Sequence, residues 1–482
     1  MKNSFLEYLE FNKRSWIILA LLFFVTHLLQ IDVNGIWFDE AFSVYHAQAS
    51  IGHILNTCMW DINPPGYLIV LHYWIKWFGT SEFAIRSLSL VSFSLGISLL
   101  FKTFQKYISF DVALYTVIFL FFSNEIFYYS HEARGYGVIF LEVTLSLRLL
   151  FSILEKPNWL KVLLLGLLYG FMIYTHYLVV FIIFVEVLFF IIYSPKDFKY
   201  LGGFAAGSFI VLFHWKYRLF EIFLKKTGIN SHKTWIPEPT YKDLVSTTES
   251  LFNNMWVMLL ILGIGIALYL FILYKKITFS RKNYWHFTFL LSIGFGIILL
   301  HFFISRITPV WVIRYFLYSS IGIYAWFAFL LWIAPLKSKI KMGIVLGIVL
   351  VAFIPTKYAS KPLMDYKNGV AFIKDSLQTP NSRIIVQSID VSILFAYYYD
   401  KELFTETNKL LLYEHNAGIY CMNDTVGIYK LRIDTLQSVI LTQTFQNTYD
   451  PEKILPSYLD SIFPHKKVYN NYPGFLISHY SK

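Results

Sequence analysis

The chain has 482 residues, of which 56% are hydrophobic and 15% are charged, and its mean hydropathy is +0.53. Because soluble domains carry about 45–50% apolar and about 25% charged residues, this composition excludes an ordinary soluble enzyme. The formal net charge of +11 is compatible with nucleic-acid binding, but the basic residues lie in short clusters between apolar segments rather than on one soluble surface. We therefore predict an integral membrane protein that binds no nucleic acid.

Long apolar segments recur along the first three quarters of the chain. A helix that spans the hydrocarbon core needs about 20 mostly apolar residues. About eleven segments meet or approach this length, at residues 15–31, 84–101, 112–129, 137–154, 162–176, 178–193, 201–215, 254–274, 285–304, 315–334 and 342–356. The predicted fold class is an α-helical polytopic membrane protein with about 11 transmembrane helices. Several segments are short, which is also compatible with one re-entrant pair.

Basic residues occur in every second connection between these segments. They are Lys13 and Arg14, Lys102 and Lys106, Lys156 and Lys161, Lys196 and Lys199, then Lys275, Lys276, Arg281 and Lys282, and finally Lys337, Lys339 and Lys341. Because Lys and Arg accumulate in cytoplasmic loops, that side and the N-terminus are predicted to be cytoplasmic. The first apolar run lacks a small-residue cleavage site, so we interpret it as a retained anchor rather than a signal peptide.

Three segments are then predicted to lie outside the membrane. Two are loops, at 32–83 and 216–253, and the third is the C-terminal region 360–482, which changes sharply in composition. This region contains polar turns and runs of alternating strand-like residues. The sequence therefore predicts a transmembrane domain over 1–359 and a small extracytoplasmic α/β domain over 360–482.

Adjacent carboxylates, Asp39 and Glu40, follow the first predicted span within Gly-Ile-Trp-Phe-Asp-Glu-Ala. Acidic residues beside hydrocarbon are costly and are usually retained for a site or for pairing with a cation. A carboxylate in this place can act as a general base toward a hydroxyl group. The alternative is that both carboxylates are simply solvated beyond the end of a helix.

Arg86 lies at the outer start of the second span, on the side that the distribution of basic residues disfavours. An arginine in this zone needs a partner. That partner is either a carboxylate such as Asp39 or Glu82, which would make Arg86 structural, or a phosphate.

Further arginines lie on the same outer side. Arg134 occupies a short turn and can bind a phosphate in bidentate fashion, although a pair with Glu132 inside the loop is the alternative. Arg306 and Arg314 flank the outer ends of later spans. A carboxylate base beside several arginines suits group transfer from a lipid phosphate, because the arginines stabilise the leaving phosphate. The sequence has no Walker loop and no HExxH motif, so the donor must already be activated.

Several motifs follow one another in a characteristic order. They are Asp39-Glu40, the Asn-Pro-Pro-Gly-Tyr run at 63–67, Phe78-Gly79-x-Ser81-Glu82-x-Ala84-x-Arg86, and Glu132-Ala133-Arg134-Gly135-Tyr136. Together they resemble the GT-C glycosyltransferase superfamily, in its bacterial protein-mannosyltransferase-like and lipid-A sugar transferase-like branch. The resemblance covers about residues 15–195 of the chain, and Arg314-Tyr315 resembles a later signature of the family.

This resemblance implies a multi-pass enzyme of the bacterial inner membrane with its active site on the periplasmic face. Such enzymes transfer one sugar from a polyprenyl-phosphate donor to a hydroxyl acceptor, with inversion at the anomeric carbon. The acceptor is a lipid, a glycan or a protein. No cofactor is certain. A divalent metal is possible, but this chain carries Asn63 where relatives often have a histidine, and a first loop poor in histidine disfavours a tight transition-metal site.

The resemblance also implies roles for individual residues. The catalytic carboxylate falls on Asp39, with Glu40 in support. Arg134 binds the donor phosphate, joined in our prediction by Arg86 and Arg314. The substrate cavity is predicted to contain Asp61, Asn63, His131, Glu132, Tyr136 and Tyr315.

Two other classes of function stay open from the sequence alone. A transporter or flippase of a lipid-linked saccharide would carry charged residues near the middle of the membrane and paired broken helices. In this chain the charges concentrate at the outer ends of the spans, with His176 and Glu186 as the main exceptions. A membrane scaffold with an outer binding domain is the third possibility, and only the C-terminal region supports it.

Overall fold

The structure is a computed structural model that spans the whole chain. It describes residues 9–10, 12, 14–61, 63–216, 218–219, 236–353, 364–377, 379, 381–387, 391–400, 404, 418–422, 433–445 and 450–482. The predicted domain boundary at 359/360 and part of the predicted outer loop 216–253 lie outside these residues, so both stay predictions.

Helices dominate the first 353 residues. In chain order the helices up to the end of the first half are α1 (Ser15–Leu28), α2 (Phe38–Gln48), α3 (Ile51–Trp60), α4 (Gly66–Phe78), α5 (Glu82–Tyr107), α6 (Phe110–Phe121), α7 (Asn124–Ser130), α8 (Tyr136–Glu155), α9 (Trp159–Thr175), α10 (Val180–Tyr193) and α11 (Leu201–Leu212). They are followed by α12 (Tyr241–Leu251), α13 (Met255–Tyr274), α14 (Arg281–Ser305, with a π-helical turn), α15 (Ser319–Ile333) and α16 (Ser338–Phe353).

Every predicted span coincides with at least one of these helices, and the span 112–129 coincides with two, but fewer of the helices are long enough to cross a membrane. Four described helices, α5, α8, α13 and α14, are long and apolar enough to cross a membrane, or five if the bent pair α6 and α7 forms one span. Other apolar helices are shorter than 18 residues. A multi-pass helical membrane protein is therefore confirmed, whereas the count of eleven spans is not.

The bend between α6 and α7 matters because the second helix leads directly into the turn that carries Arg134. The two helices differ in direction by 64°. The side chain of Ser123 caps α7 at its N-terminus, which is the usual role of serine at such a position. The side-chain amide of Asn253 stabilises the bend. It accepts a hydrogen bond from the backbone N–H of Asn124 and donates one to the carbonyl of Phe122. A specific set of polar contacts thus sets the direction of α7.

A small mixed sheet forms the centre of the C-terminal domain. Its strands are β1 (Ser382–Gln387), β2 (Ile419–Met422), β3 (Ser438–Gln443), β4 (His465–Tyr469) and β5 (Leu476–Ser481), in the order β2-β1-β3-β5-β4. The first three strands are parallel and the last two pair in antiparallel fashion. Helices α17 (Tyr366–Phe372), α18 (Ser392–Tyr399) and α19 (Ile454–Ile462) accompany the sheet. The predicted small α/β domain is therefore confirmed.

Two helices of the bundle, α9 and α11, approach closely at glycines. A Cβ atom added at Gly207 would lie 2.5 Å from the backbone nitrogen of Leu167 and 2.6 Å from the carbonyl carbon of Gly166. Small residues allow membrane helices to pack backbone against backbone. Ser208 adds a hydrogen bond of 3.0 Å to the Gly166 carbonyl, so this contact depends on the absence of side chains.

We expect Gly207→Ala to lower the free energy of unfolding by about 1–3 kcal/mol, because the added methyl group overpacks two backbones that cannot both move. The matched control is Gly202→Ala on the same helix, where an added Cβ meets nothing within 4 Å and helix propensity improves. Thermal unfolding of the purified proteins in detergent measures the difference. Equal melting temperatures for the two variants would contradict the packing argument.

Candidate active site

A buried ion pair lies beside the loop between α1 and α2. Arg86, in the first turns of α5, contacts Glu40 of α2 through two hydrogen bonds of 2.8 Å, from Nε to Oε1 and from Nη2 to Oε2. The two side chains are 5% and 0% exposed. The remaining guanidinium N–H groups donate to the backbone carbonyls of Ile31, Asn34 and Gly35. All five donors of this arginine are therefore in use.

The Glu40 carboxylate is equally saturated. Besides Arg86 it accepts from the backbone N–H of Trp37 at 3.2 Å and from that of Ala133 at 2.8 Å. Each carboxylate oxygen thus has two donors, which fills the ordinary capacity of the group. Glu40 has no free lone pair for proton transfer, and Arg86 has no N–H for a phosphate. The partner of Arg86 is Glu40 rather than Asp39 or Glu82, and this geometry gives both residues a structural role.

Asp39 lies in a different environment, although it is the next residue in the chain. Its Oδ2 atom is 3.7 Å from Nη2 of Arg134 and 3.7 Å from Nη2 of Arg314, and its side chain is 22% exposed. These separations exceed hydrogen-bond length, so the carboxylate is attracted by two cations but not saturated by them. The structure therefore brings together three of the predicted site residues, Asp39, Arg134 and Arg314.

The Arg134 guanidinium is held on its far side by α2 and α8. Its Nη1 atom donates to Ser43 Oγ at 2.9 Å and lies 3.3 Å from the Asp39 carbonyl oxygen, while the Tyr136 hydroxyl forms a further hydrogen bond. Ser43 was not predicted from the sequence. It lies four residues after Asp39 on the same helix, and that spacing is the signal that would have found it.

Arg314 reaches the site from a short 3-10 helix, Ile313–Phe316. Its guanidinium carbon lies 5.7 Å from the ring centroid of Trp37 and 5.8 Å from that of Tyr315. Arginine binds favourably over such ring faces. The Tyr315 ring also packs against His176, with centroids 4.8 Å apart. The aromatic residues thus set the position of the second arginine.

The remaining predicted cavity residues divide into two groups. His131 and Glu132 belong to the turn before Arg134. The imidazole of His131 is bonded to the His27 carbonyl, and Glu132 is buried and hydrogen-bonded to Tyr128. Asp61 and Asn63 form the second group, just after the end of α3. The Asn63 amide donates to the Asp61 carboxylate at 3.1 Å, and Arg218 donates to the Asp61 carbonyl.

Three buried polar atoms around this site have no hydrogen-bond partner among the described residues. They are Nε1 of Trp37, the hydroxyl of Tyr67 and Oε2 of Glu132. Buried polar groups are normally paired, because leaving one unpaired costs free energy. Three such atoms in one neighbourhood indicate a place where a polar ligand or water completes the bonding. Tyr67 was missed by the sequence analysis, although it ends the Pro-Pro-Gly-Tyr run.

Within the described part of the chain, no group of three or more His, Cys, Asp and Glu side chains is arranged to hold a metal ion. The charged groups nearest Asp39 are instead two guanidinium groups. These are suited to a phosphate, which they can bind with fixed geometry.

Removal of one partner of the buried Glu40–Arg86 pair should strongly destabilise the protein. We expect Arg86→Gln to lower the free energy of unfolding by about 3–5 kcal/mol, because it leaves the Glu40 carboxylate buried without its cation. The control is Lys106→Gln, which breaks an ion pair with Glu155 whose side chains are 47% and 53% exposed and should cost less than about 1 kcal/mol. Thermal unfolding in detergent compares them, and similar losses would refute the structural role of Arg86.

Glu132 should give the protein a pH-dependent stability. Burial, followed by the charge of Glu40, raises the pKa of the Glu132 carboxyl from 4.5 to about 8. Between these values the unfolded chain loses the proton before the folded one, so this group lowers stability as the pH rises. We expect the melting temperature of Glu132→Gln, relative to wild type, to increase between pH 5 and pH 8. A difference that is constant with pH would contradict this pKa.

Residues 63–215 match the family model of dolichyl-phosphate-mannose-protein mannosyltransferases. No match was found among curated protein sequences. The chain is similar to the crystal structure of ArnT from Cupriavidus metallidurans in the apo state, with 11% identity, a TM-score of 0.46 and coverage of 96% of this chain and 97% of that one. For ArnT bound to undecaprenyl phosphate the values are 11%, 0.45, 97% and 98%.

The matched segment runs from Asn63 through Arg86 and Arg134 to Trp215, so it contains most of the motifs on which the sequence-based resemblance depends. Over this segment the resemblance to GT-C superfamily membrane glycosyltransferases is confirmed.

Proposed function

We propose that this protein transfers a single sugar from a polyprenyl-phosphate-linked donor to a hydroxyl group of a lipid, glycan or protein acceptor. The observation that carries the proposal is the Asp39 carboxylate, held 3.7 Å from each of two arginines and still partly exposed. The matching family is described as acting on a lipid-phosphate sugar, dolichyl-phosphate-mannose, and this supports a donor of the same chemical class.

The proposed reaction requires one base and one set of cations. The acceptor oxygen attacks the anomeric carbon, and the bond from that carbon to the phosphate oxygen breaks. Asp39 accepts the proton of the acceptor hydroxyl, and the phosphate leaves with an additional negative charge. Arg134 and Arg314 stabilise that charge where it develops. Because the acceptor attacks opposite the leaving phosphate, the configuration at the anomeric carbon is inverted.

Two neighbouring features support this assignment. Asp39 lies in the first turn of α2, where the helix dipole favours negative charge and therefore also a phosphate. The unpaired polar atoms of Trp37, Tyr67 and Glu132 offer hydrogen bonds to a sugar, whose surface is rich in hydroxyl groups. We also propose that the reaction needs no resident cofactor, because the two guanidinium groups meet the charge of the phosphate.

The proposed location is the periplasmic face of the bacterial inner membrane. The basic clusters in alternate connections, among them Lys102 and Lys106 after the second predicted span and Lys156 and Lys161 after the fourth, support a cytoplasmic side opposite Asp39. With this orientation the N-terminus is cytoplasmic and the C-terminal domain is extracytoplasmic. A donor carried on a polyprenyl lipid then meets the site from within the membrane.

We expect Asp39→Asn to lower kcat by about 10²- to 10⁴-fold, the usual contribution of a positioned general base. The experiment profiles polyprenyl-phosphate lipids by mass spectrometry in cells that lack the protein, complemented with wild type or Asp39→Asn. A polyprenyl-monophosphate sugar should accumulate, and only wild type should clear it. The mass of that lipid also identifies the class of sugar.

The control variant is Asp32→Asn, an exposed aspartate of the same loop, which should clear the donor like wild type. Detergent-solubilised protein assayed with and without EDTA tests the proposal that no metal is needed. Full turnover by Asp39→Asn would overturn the assignment of the base. If no donor lipid accumulates and saccharide flipping persists in proteoliposomes with Asp39→Asn, the transport alternative is favoured instead.

A further inference from the structure

The peptide unit between Gly35 and Ile36 is hydrogen-bonded through both its carbonyl and its N–H group. The Gly35 carbonyl accepts from Nη2 of Arg86 at 3.0 Å, and the N–H of the same peptide, which belongs to Ile36, donates to the hydroxyl of Tyr398 at 2.6 Å. Arg86 is part of the helical bundle, whereas Tyr398 belongs to α18 of the C-terminal domain. The peptide is therefore fixed between two parts of the protein that are far apart in sequence.

The same tyrosine is bonded to the bundle. Its hydroxyl donates to Oε1 of Glu82 at 2.7 Å, and Lys367 of α17 donates to Oε2 of that glutamate at 2.7 Å. Glu82 begins α5, one helical turn before Arg86. The C-terminal domain and Glu40 thus both bind side chains at the N-terminal end of α5, the domain through Glu82 and Glu40 through Arg86.

Lys367 also holds the loop directly, since its Nζ atom donates to the Asp32 carbonyl at 3.0 Å. Together with the carbonyls bound by Arg86, four carbonyls of this segment accept from a cationic side chain, those of Ile31, Asp32, Asn34 and Gly35. The loop that leads into α2 is therefore bonded at almost every residue.

Gly35 shows how close the approach is. A Cβ atom at this position would lie 2.8 Å from the Tyr398 hydroxyl and 3.0 Å from Cβ of Lys367. A side chain at position 35 would push the Tyr398 hydroxyl away from the backbone, so glycine permits the close approach. The close contact thus depends on glycine at position 35 in the loop and on tyrosine at position 398 in the C-terminal domain.

The opposite end of α2 is held by the same domain. The Gln48 amide donates to the Phe404 carbonyl at 3.4 Å, and the rings of Tyr45 and Phe404 pack with centroids 5.7 Å apart. The C-terminal domain therefore contacts the last turn of α2 as well as the loop that precedes this helix.

We propose that Tyr398 is a positioning residue, which fixes the segment 31–37 and, through it, the placement of Asp39 and Trp37 beside Arg314. This inference rests on the proposed function. Trp37 follows the clamped peptide directly and contacts the Arg314 guanidinium, so a loosened peptide changes both the base and the second phosphate ligand. The C-terminal domain is then an obligatory part of the active site rather than an accessory domain.

The test uses Tyr398→Phe in the full-length protein, which keeps the ring and removes the hydroxyl with its two hydrogen bonds. The matched control is Tyr469→Phe in the same domain, where the ring packs on Phe372 with centroids 4.8 Å apart. Hydrogen exchange followed by mass spectrometry reports on the backbone of residues 31–40. Steady-state assays with the polyprenyl-phosphate sugar separate kcat from KM.

For Tyr398→Phe we expect faster exchange confined to residues 31–40 and a kcat reduced by about 10- to 100-fold, because small displacements of reacting groups are costly. The KM for the donor should rise by less than kcat falls, because Arg134 still binds the donor phosphate, and the melting temperature should stay close to wild type. Lys367→Met should change exchange and kcat in the same direction, and Tyr469→Phe should change neither.

Unchanged exchange in residues 31–40, or faster exchange without a loss of kcat, would overturn the proposal. A parallel loss of protection and melting temperature across the whole protein would also overturn it, since it would show only a structural role. A wild-type protein that transfers no sugar would overturn the proposed function itself. The exchange comparison would then still decide whether Tyr398 holds the loop.

Discussion

The buried pair of Glu40 and Arg86 is the contact on which the geometry of the site depends. Together the two side chains make seven hydrogen bonds, and these join α2, α5, the loop between α1 and α2, and the turn that carries Arg134. A buried charge is tolerated only when it is paired and its remaining hydrogen-bonding groups are satisfied. Because separating these four segments would leave a buried charge or donor unpaired, the pair holds them together.

This constraint explains how two adjacent carboxylates acquire different chemistry. Neighbouring residues on a helix point about 100° apart, so Glu40 faces the interior while Asp39 faces the opening between Arg134 and Arg314. The first is saturated with donors and carries no reaction. Asp39 keeps free acceptor capacity close to two guanidinium groups, which is compatible with its proposed role as the base. The Glu40–Arg86 pair therefore fixes the start of α2, which carries Asp39, and the C-terminal domain contacts the loop that precedes this helix.

The helices and the small α/β domain could be predicted because their signals are local. Runs of apolar residues favour membrane helices, and a shift to polar turns and alternating residues marks a soluble domain. The number of crossings could not be predicted in the same way. Several apolar helices, such as Trp159–Thr175 and Ser319–Ile333, are shorter than a full span, and their depth in the membrane depends on packing against neighbours rather than on their own composition.

At the site, the sequence alone determined which residue types are present and on which side of the membrane they are expected. It pointed to Asp39, Arg134 and Arg314, because charges at the outer ends of apolar segments are costly and need a reason. Only the tertiary structure decided which charges pair: Arg86 contacts Glu40, whereas the sequence allowed Asp39, Glu82 or a phosphate as its partner. The contacts of Tyr398 with Ile36 and Glu82 lie between residues more than 300 positions apart, and no local pattern encodes a contact of that kind.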